Sequence, residues 1–268
     1  MAKAVSSDRA DFSRPHFLPG VELVSVSYRD RAFPVHAHDG YVVGTVIGGA
    51  EQLEVAGTTH LVGTGDVLRL HPGEPHANRS VGSDVLRYLV LYLSPESITP
   101  YLGGATLAFP GAVSGDRRLA ATVASVHATL STAPAEKLAQ ESAMMTLVRA
   151  LADNDAHERP SLAGGERVVV ARVQAWIEAH LAENFGLAEL AAVAGLSVFR
   201  LAHLFKQNTG LSPIAYRNQR RIAAARRLLL AGQPIADIAL QLGFADQSHL
   251  TRQFQRIVGV SPQRYRQQ

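Results

Sequence analysis

Leu187-Ala-Glu-Leu-Ala-Ala-Val-Ala-Gly195 and Ile235-Ala-Asp-Ile-Ala-Leu-Gln-Leu-Gly243 are two versions of one segment, 48 positions apart. One residue is then inserted, and the offset of 49 holds to the end: Leu201 with Leu250, Phe205 with Phe254, Gly210 with Gly259, Ser212-Pro213 with Ser261-Pro262, and Tyr216-Arg217 with Tyr265-Arg266. Ten identities at constant spacing establish an internal repeat, and a repeat decides the architecture before any single element does.

Each copy reads as helix, tight turn, helix. Leu187–Ala194 carries a helical apolar stripe closed by Gly195, the residue that reaches the left-handed conformation at a helix end without strain. Ser197 caps Val198–Asn208, which Gly210 closes, and Ser212-Pro213 opens a long helix to Leu230. The second copy repeats this as Ile235–Leu242, Gly243, the cap Asp246, Gln247–Val258, Gly259 and Ser261-Pro262. A preceding helix, Arg167–Asn184, carries the only tryptophan, Trp176.

Helix, turn at glycine, helix is the helix-turn-helix, whose second helix fits the major groove of DNA. In the first unit Val198, Leu201, Leu204 and Phe205 form the inward stripe, and Phe199, Arg200, His203, Lys206 and Gln207 are left outside. In the second, Leu250, Phe254, Ile257 and Val258 face in, while Ser248, His249, Thr251, Arg252, Gln255 and Arg256 face out or flank the contact. The outward heads suit bases and phosphates, with Arg252 able to take guanine bidentately. Arg217, Arg220, Arg221, Arg226 and Arg227 cluster on the joining helix, where ion pairs and solvation compete with phosphate contact.

Charge follows the same division. Residues 166–268 hold 13 Arg or Lys against 6 Asp or Glu, net +7, and residues 1–165 hold 13 against 17, net −4. Only the C-terminal part is suited to a polyanion. The chain has no cysteine, which excludes disulfides, thiolate metal sites and cysteine nucleophiles and fits a reducing cytoplasm. No apolar run is long enough to span a membrane, and Met1–Arg14 lacks the apolar core of a secretory signal.

Upstream, residues 20–93 read as short strands cut by turn residues: Val21–Tyr28, Tyr41–Ile47, Gln52–Val55, Thr58–Val62, Asp66–Leu70 and Val85–Tyr92. Such spacing predicts an antiparallel sandwich or barrel. A Pro- and Gly-rich passage, 94–115, precedes two helical stretches, Asp116–Leu130 and Pro134–Asn154, with apolar stripes that include Leu119, Val123, Val126, Leu138, Met144, Leu147 and Leu151. This hairpin packs either on its own barrel or on a second subunit. The expected division is a barrel over 1–115, the hairpin over 116–155 as a candidate dimerisation element, a linker over 156–165, and a helical DNA-binding domain over 166–268. The fold class is α+β with two domains.

The segment from Leu187 to Arg266 resembles the DNA-binding domain of the AraC/XylS family of transcription regulators. Leu190-Ala191, Gly195-Leu-Ser197, Leu201 and Phe205-Lys206 carry the likeness in the first unit; Ile238-Ala239, Gly243-Phe244, Asp246-Gln-Ser248, Phe254, Gly259 and Ser261-Pro-Gln-Arg-Tyr-Arg266 carry it in the second. The resemblance implies two helix-turn-helix units joined by one long helix and lying in successive major grooves. It implies base reading from Phe199, Ala202, His203, Ser248 and Arg252. His203 stands where family members often have arginine, and Ala202 has no polar head, so specificity is expected to lean on the second unit, or on Arg200 and Gln207.

Three histidines punctuate the strand region, in His36-Ala-His38-Asp and in His71-Pro-Gly-Glu-Pro-His76. Alternation along a strand puts both rings of a His-x-His pair on one face, and a third imidazole can complete a site for a divalent metal. The passage from Phe33 to His76, including Gly65-Asp66 and Pro72-Gly73, resembles the cupin barrel that serves many AraC-type regulators as sensor. Metal-binding cupins generally carry a glutamate three or four residues after the pair, where this chain has Tyr41 and Val42. The preferred reading is therefore that His36, His38, Tyr41 and His76 line a pocket for a small effector or pack the barrel mouth, with His36, His38 and His76 as candidate metal ligands. His60 and His71 are expected at the surface.

The resulting expectation is a cytoplasmic, homodimeric, effector-responsive regulator and not an enzyme, acting on promoter DNA and, as an activator, with RNA polymerase as a partner. The alternatives are a metal-dependent cupin enzyme carrying a DNA-binding domain, and a constitutive DNA binder whose barrel only dimerises.

Overall fold

A computed structural model describes residues 8–102, 107–132, 137–152, 164–183 and 185–267. They form two compact units: residues 8–33 and 37–152, with nearly all of the strands and the first three helices, and residues 34–36 and 164–267, with the end of one strand and the remaining helices. Residues 156–163 of the expected linker lie outside the described residues, as do the segment before Asp8, residues 134–136 and 153–154 at the ends of the second predicted hairpin helix, and Asn184.

The first unit is built on β1 (Arg9–Ser13), β2 (Val21–Tyr28), β3 (Ala32–His36), β4 (Tyr41–Gly48), β5 (Ala50–Val55), β6 (Thr58–Gly63), β7 (Val67–Leu70), β8 (His76–Val81), β9 (Leu86–Leu93) and β10 (Val113–Ser114). They form a six-stranded sheet, in the order β1-β2-β9-β4-β7-β10, and a four-stranded sheet, in the order β3-β8-β5-β6. β2 and β4 flank β9 in antiparallel register, pairing Leu23 and Val43 with Leu91. Side-chain alternation then assigns two faces to the large sheet. Val21, Leu23, Val43, Leu91 and Leu93 point to one face and pack on α1 (Pro95–Leu102), α2 (Arg117–Ser131) and α3 (Lys137–Ala152) through Ile98, Leu119, Val123, Met144, Leu147 and Leu151. Val24, Val26, Tyr28, Val42, Val46, Tyr88 and Val90, equally buried, point to the other.

The hairpin stripe thus packs on its own sheet. Leu138 is the exception: it is 72% exposed, and Met145, two turns along α3, is 46% exposed. Four strands (β1, β3, β8, β10) and the helix α1 add to those predicted.

The second unit comprises α4 (Gly164–Ala179), α5 (Leu187–Ala194), α6 (Val198–Thr209), α7 (Pro213–Leu230), α8 (Ile235–Gln241), α9 (Gln247–Val258) and α10 (Pro262–Arg266). Val170, Val173 and Ile177 of α4 close a core with Leu190, Ala191, Leu201, Leu204 and Phe205, with Trp176 packed at its edge. Among the described residues no single helix is long and apolar enough to cross a membrane.

Candidate functional site

The two helical units superimpose in their hydrogen bonding. At the first turn Gly195 (φ 67°) donates to Ala192 O at 3.1 Å and Leu196 donates to Ala191 O at 3.0 Å. At the second, Gly243 (φ 69°) donates to Leu240 O at 3.1 Å and Phe244 to Ala239 O at 2.9 Å. These reversals satisfy the last carbonyls of α5 and α8 and aim the next helix away; from α5 to α6 the chain bends by 81°. Ser197 Oγ accepts from Arg200 N at the start of α6. Asp246 Oδ1 accepts from His249 N at the start of α9. Buried Leu201, Leu204 and Phe205 fix the roll of α6, as Leu250 and Phe254 fix that of α9.

That roll decides which residues meet solvent. On α6, Phe199, at 84% exposure, is the most exposed large apolar side chain, and Arg200, His203, Lys206 and Gln207 are exposed with it, while Ala202 is half-buried. Ser248, Arg252, Gln255 and Arg256 are exposed on α9, with Thr251 half-buried. Two expectations need correction. Val198 is 43% exposed, because the N-terminal turn of α6 projects beyond the core, and is not part of the inward stripe. His249 is half-buried: its ring packs edge-on against Phe244 at 5.4 Å and its Nδ1 accepts from Ala245 N at 3.4 Å, so it braces the turn.

The arginines of α7 also sort by environment. Arg221 is buried and donates to Leu181 O at 2.6 Å and Glu183 O at 3.2 Å, and its guanidinium lies 5.6 Å from the Phe244 ring centroid. Burial, and then the neighbouring Arg217, bring its pKa down to about 10. Arg217 lies over Phe185 at 4.8 Å, with its pKa lowered by burial. Arg226 Nε donates to the Tyr265 hydroxyl at 3.0 Å, and Arg220 pairs with Glu178 at 3.1 Å. These four hold the helices together, Arg221 as a buried strut. Arg227 is exposed.

In the sheet unit, β3 ends at His36, and His38 follows two residues later. The His38 carbonyl accepts from Gly73 N at 2.8 Å, tying it to the turn that leads into His76. One ligand nitrogen from each of His36, His38 and His76 lies within 4.8 Å of the others, with His36 and His76 buried. Three imidazoles without a carboxylate suit a borderline transition metal and not magnesium or calcium. Asp39 is exposed.

Tyr41 is not part of this group. Period two places it with Val43 on the helix-side face, where its hydroxyl donates to Leu107 O at 3.1 Å and its ring meets Phe109 at 5.8 Å. His71 is not a surface residue either. Its side chain is 13% exposed, Nδ1 lies 3.2 Å from Glu74, and Nε2 accepts from Phe109 N at 3.0 Å. Tyr92, on the strand face opposite Tyr41, meets His38 with ring centroids 4.7 Å apart.

A buried polar group was missed by sequence reasoning. Glu51 of β5 is fully buried; Asn78 Nδ2 donates to its Oε2 at 2.9 Å, and its Oε1 has no hydrogen-bond partner. Burial raises its pKa to about 7, partly offset by the Asn78 bond. Its charge in turn helps to raise the pKa of buried Tyr88, after desolvation, the main cause. The alternation Glu51, Leu53, Val55, all inward, is the signal that would have found it.

Comparison with known proteins resolves the identity of both units. Residues 190–268 match the model of a helix-turn-helix domain, and residues 18–148 match that of the AraC-like ligand binding domain. The transcriptional activator RhaS of Escherichia fergusonii is 30% identical over 94% of this chain and 95% of its own length. The chain belongs to the AraC family of transcription regulators. A second AraC-family relative, the arabinose operon regulatory protein of Escherichia coli, is 40% identical over 34% of this chain and 32% of its own. Among solved structures, ToxT from Vibrio cholerae shares the two-domain fold, with a TM-score of 0.61, 14% identity, and coverage of 92% of this chain and 97% of ToxT. This AraC-family chain is therefore a transcription regulator with a DNA-binding domain and a ligand-binding domain.

Proposed function

We propose that this regulator reads an asymmetric DNA site through α6 and α9 and that a small molecule bound in the barrel controls that reading. The supporting observation is that the repeat keeps its frame and changes its exposed face. Phe199, Arg200, Ala202 and His203 align with Ser248, His249, Thr251 and Arg252. Equivalent caps, glycine turns and the shared Leu and Phe core positions deliver dissimilar heads to the DNA, so each unit reads different bases. Ser248, Arg252 and Arg256 on α9, and Phe199, Arg200, His203, Lys206 and Gln207 on α6, are the contacts proposed, with Ala202 and Thr251 limited to apolar touch at the helix flank.

In the barrel, His36, His38 and His76 are proposed to face the effector, without Tyr41. Leu138 and Met145 form an exposed apolar pair on α3, and this supports a homodimer through the hairpin. Sedimentation of a Met145→Glu variant as a monomer would support it; an unchanged dimer would oppose it. RNA polymerase is the natural partner of an activator such as the RhaS relative, and the cytoplasm is where such a protein meets its promoter. The relatives are regulators, which favours this reading over catalysis by the barrel.

Selection of bound sequences from random DNA, with and without cell extract, tests the proposal. A single asymmetric motif whose recovery changes with extract supports it. A motif of two identical half-sites within one chain's footprint contradicts the two-reader account. Recovery indifferent to extract and to every ligand screened by thermal shift favours a constitutive binder.

A further inference from the structure

Glu51 carries a carboxyl group into the interior of the sheet unit, where its neighbours do not neutralise it. The side chain is fully buried on the inward face of β5, with Val62 of β6 and Ser80 of β8 as its register partners. Asn78 Nδ2 supplies a hydrogen bond to Oε2 at 2.9 Å, and Oε1 receives none among the described residues. Burial and the Asn78 bond govern its titration, and no arginine or lysine is among the causes. A carboxylate withdrawn from water is costly unless a cation or several donors offset it. Across the interior stands Tyr88 of β9, buried, flanked in register by Val26 and Val46. It is near enough for the Glu51 charge to add to the desolvation that raises its pKa. Tyr28 packs edge-on against Tyr88 with centroids 6.3 Å apart, and the Arg31 guanidinium lies 5.8 Å from the Tyr28 ring centroid. This end of the interior therefore offers an acceptor oxygen, electron-rich rings and small aliphatic walls, and aromatic faces attract cations.

We propose that Glu51 and Tyr88 receive the ammonium group of a small organic amine, which is the chemical class of the effector. This rests on the reading of the barrel as the effector-binding unit and extends it. An ammonium meets both demands of the site: an N–H donates to Glu51 Oε1, and the charge neutralises the carboxylate. The Tyr88 hydroxyl oxygen can accept another N–H, and Val26, Val46 and Val62 suit an aliphatic body. A hydroxyl group would satisfy Oε1 and leave the charge uncompensated, and a carboxylate ligand would be repelled. The site therefore selects amines over alcohols and carboxylates of the same carbon skeleton.

Full-length protein titrated with primary alkylamines from ethylamine to hexylamine, and with the alcohols and carboxylates of the same chain lengths, is the test. The expected result is saturable thermal stabilisation by amines alone. Glu51→Gln, which keeps the shape of the side chain and removes its charge, should weaken amine binding by at least about 10-fold. Glu54→Gln, on the exposed face of the same strand, should bind as the parent does. Amide signals of the wild type give a second reading that needs no variant to fold: the amine should shift those of Glu51, Asn78 and Tyr88 first. Absence of stabilisation by every amine, equal stabilisation by the matched alcohols, unchanged affinity in Glu51→Gln, or shifts centred elsewhere overturns the proposal. DNA selection with cell extract keeps the two readings apart. A motif whose recovery responds to extract while no amine binds removes the amine and leaves the effector-responsive regulator; amine binding at Glu51 with DNA recovery unmoved by amine or extract does the reverse.

Discussion

Tyr265 packs edge-on against Phe254, ring centroids 5.4 Å apart, and Tyr216 stands in the same relation to Phe205 at 5.5 Å. The repeat therefore conserves a contact between the recognition helix and the helix after it, reached across Gly210 or Gly259 and a serine cap. The two pairs differ in their polar ends: the Tyr265 hydroxyl accepts from Arg226, and the Tyr216 hydroxyl donates to Glu178 at 2.7 Å. Phe254→Ala should cost about 3–5 kcal/mol by opening a cavity, and Tyr265→Phe about 1 kcal/mol for the lost hydrogen bond. Chemical denaturation of the two variants checks the order; equal losses would show that the ring packing is not the anchor.

The two turn glycines should not tolerate substitution equally. Both have positive φ, but a Cβ on Gly195 meets nothing, whereas on Gly243 it would collide with the Ala182 carbonyl oxygen and the Arg221 guanidinium. Gly195→Ala carries only the strain of a left-handed alanine, about 1 kcal/mol. Gly243→Ala should lower the melting temperature distinctly more, because it also displaces the Arg221 strut. Equal shifts for both would contradict this.

Arg221 and Arg227 lie six residues apart on α7, one buried and one exposed. Arg221→Ala should reduce stability, leaving two backbone carbonyls without their donor. Arg227→Ala should leave stability unchanged, and if its head meets a phosphate, the slope of log affinity against log salt falls by about 1. Thermal melts with salt-dependent DNA titrations separate the two; an unaltered fold in Arg221→Ala would refute the strut.

Glu51 makes stability depend on pH in a defined sense. Its folded pKa, about 7, lies above the ordinary carboxyl value of 4.5, so the folded state binds the extra proton. The contribution is fully favourable below about pH 4.5 and is lost as pH rises through 7, amounting to about 3 kcal/mol. Glu51→Gln, which cannot ionise, should flatten the stability profile between those values and gain on the wild type above pH 7. Parallel profiles would place the titration elsewhere.

Legibility followed the strength of each local signal. The helical repeat was readable because caps, glycines and apolar spacing agree at every step. β8, His-Ala-Asn-Arg-Ser-Val, has almost no apolar alternation, since its inward residues are His76, Asn78 and Ser80. β3 contains Pro34, which argues against a strand interior. α1 was hidden in a Pro-rich passage, although Pro95 occupies the tolerated first position. For the barrel group, spacing along the chain named His36 and His38, but only the pairing of strands decides that Tyr41 turns to the helices while Tyr92 joins His38. His249 was misread because an outward helical position does not reveal a ring folded back onto Phe244.

The central claim is that one frame presents two different readers. DNA selection with the wild type, Arg252→Ala and His203→Ala tests it most directly. The account predicts that Arg252→Ala relaxes one part of the motif and costs about 1–3 kcal/mol, while His203→Ala disturbs a different part and costs less. Equal losses, or relaxation of the same bases by both variants, would contradict it.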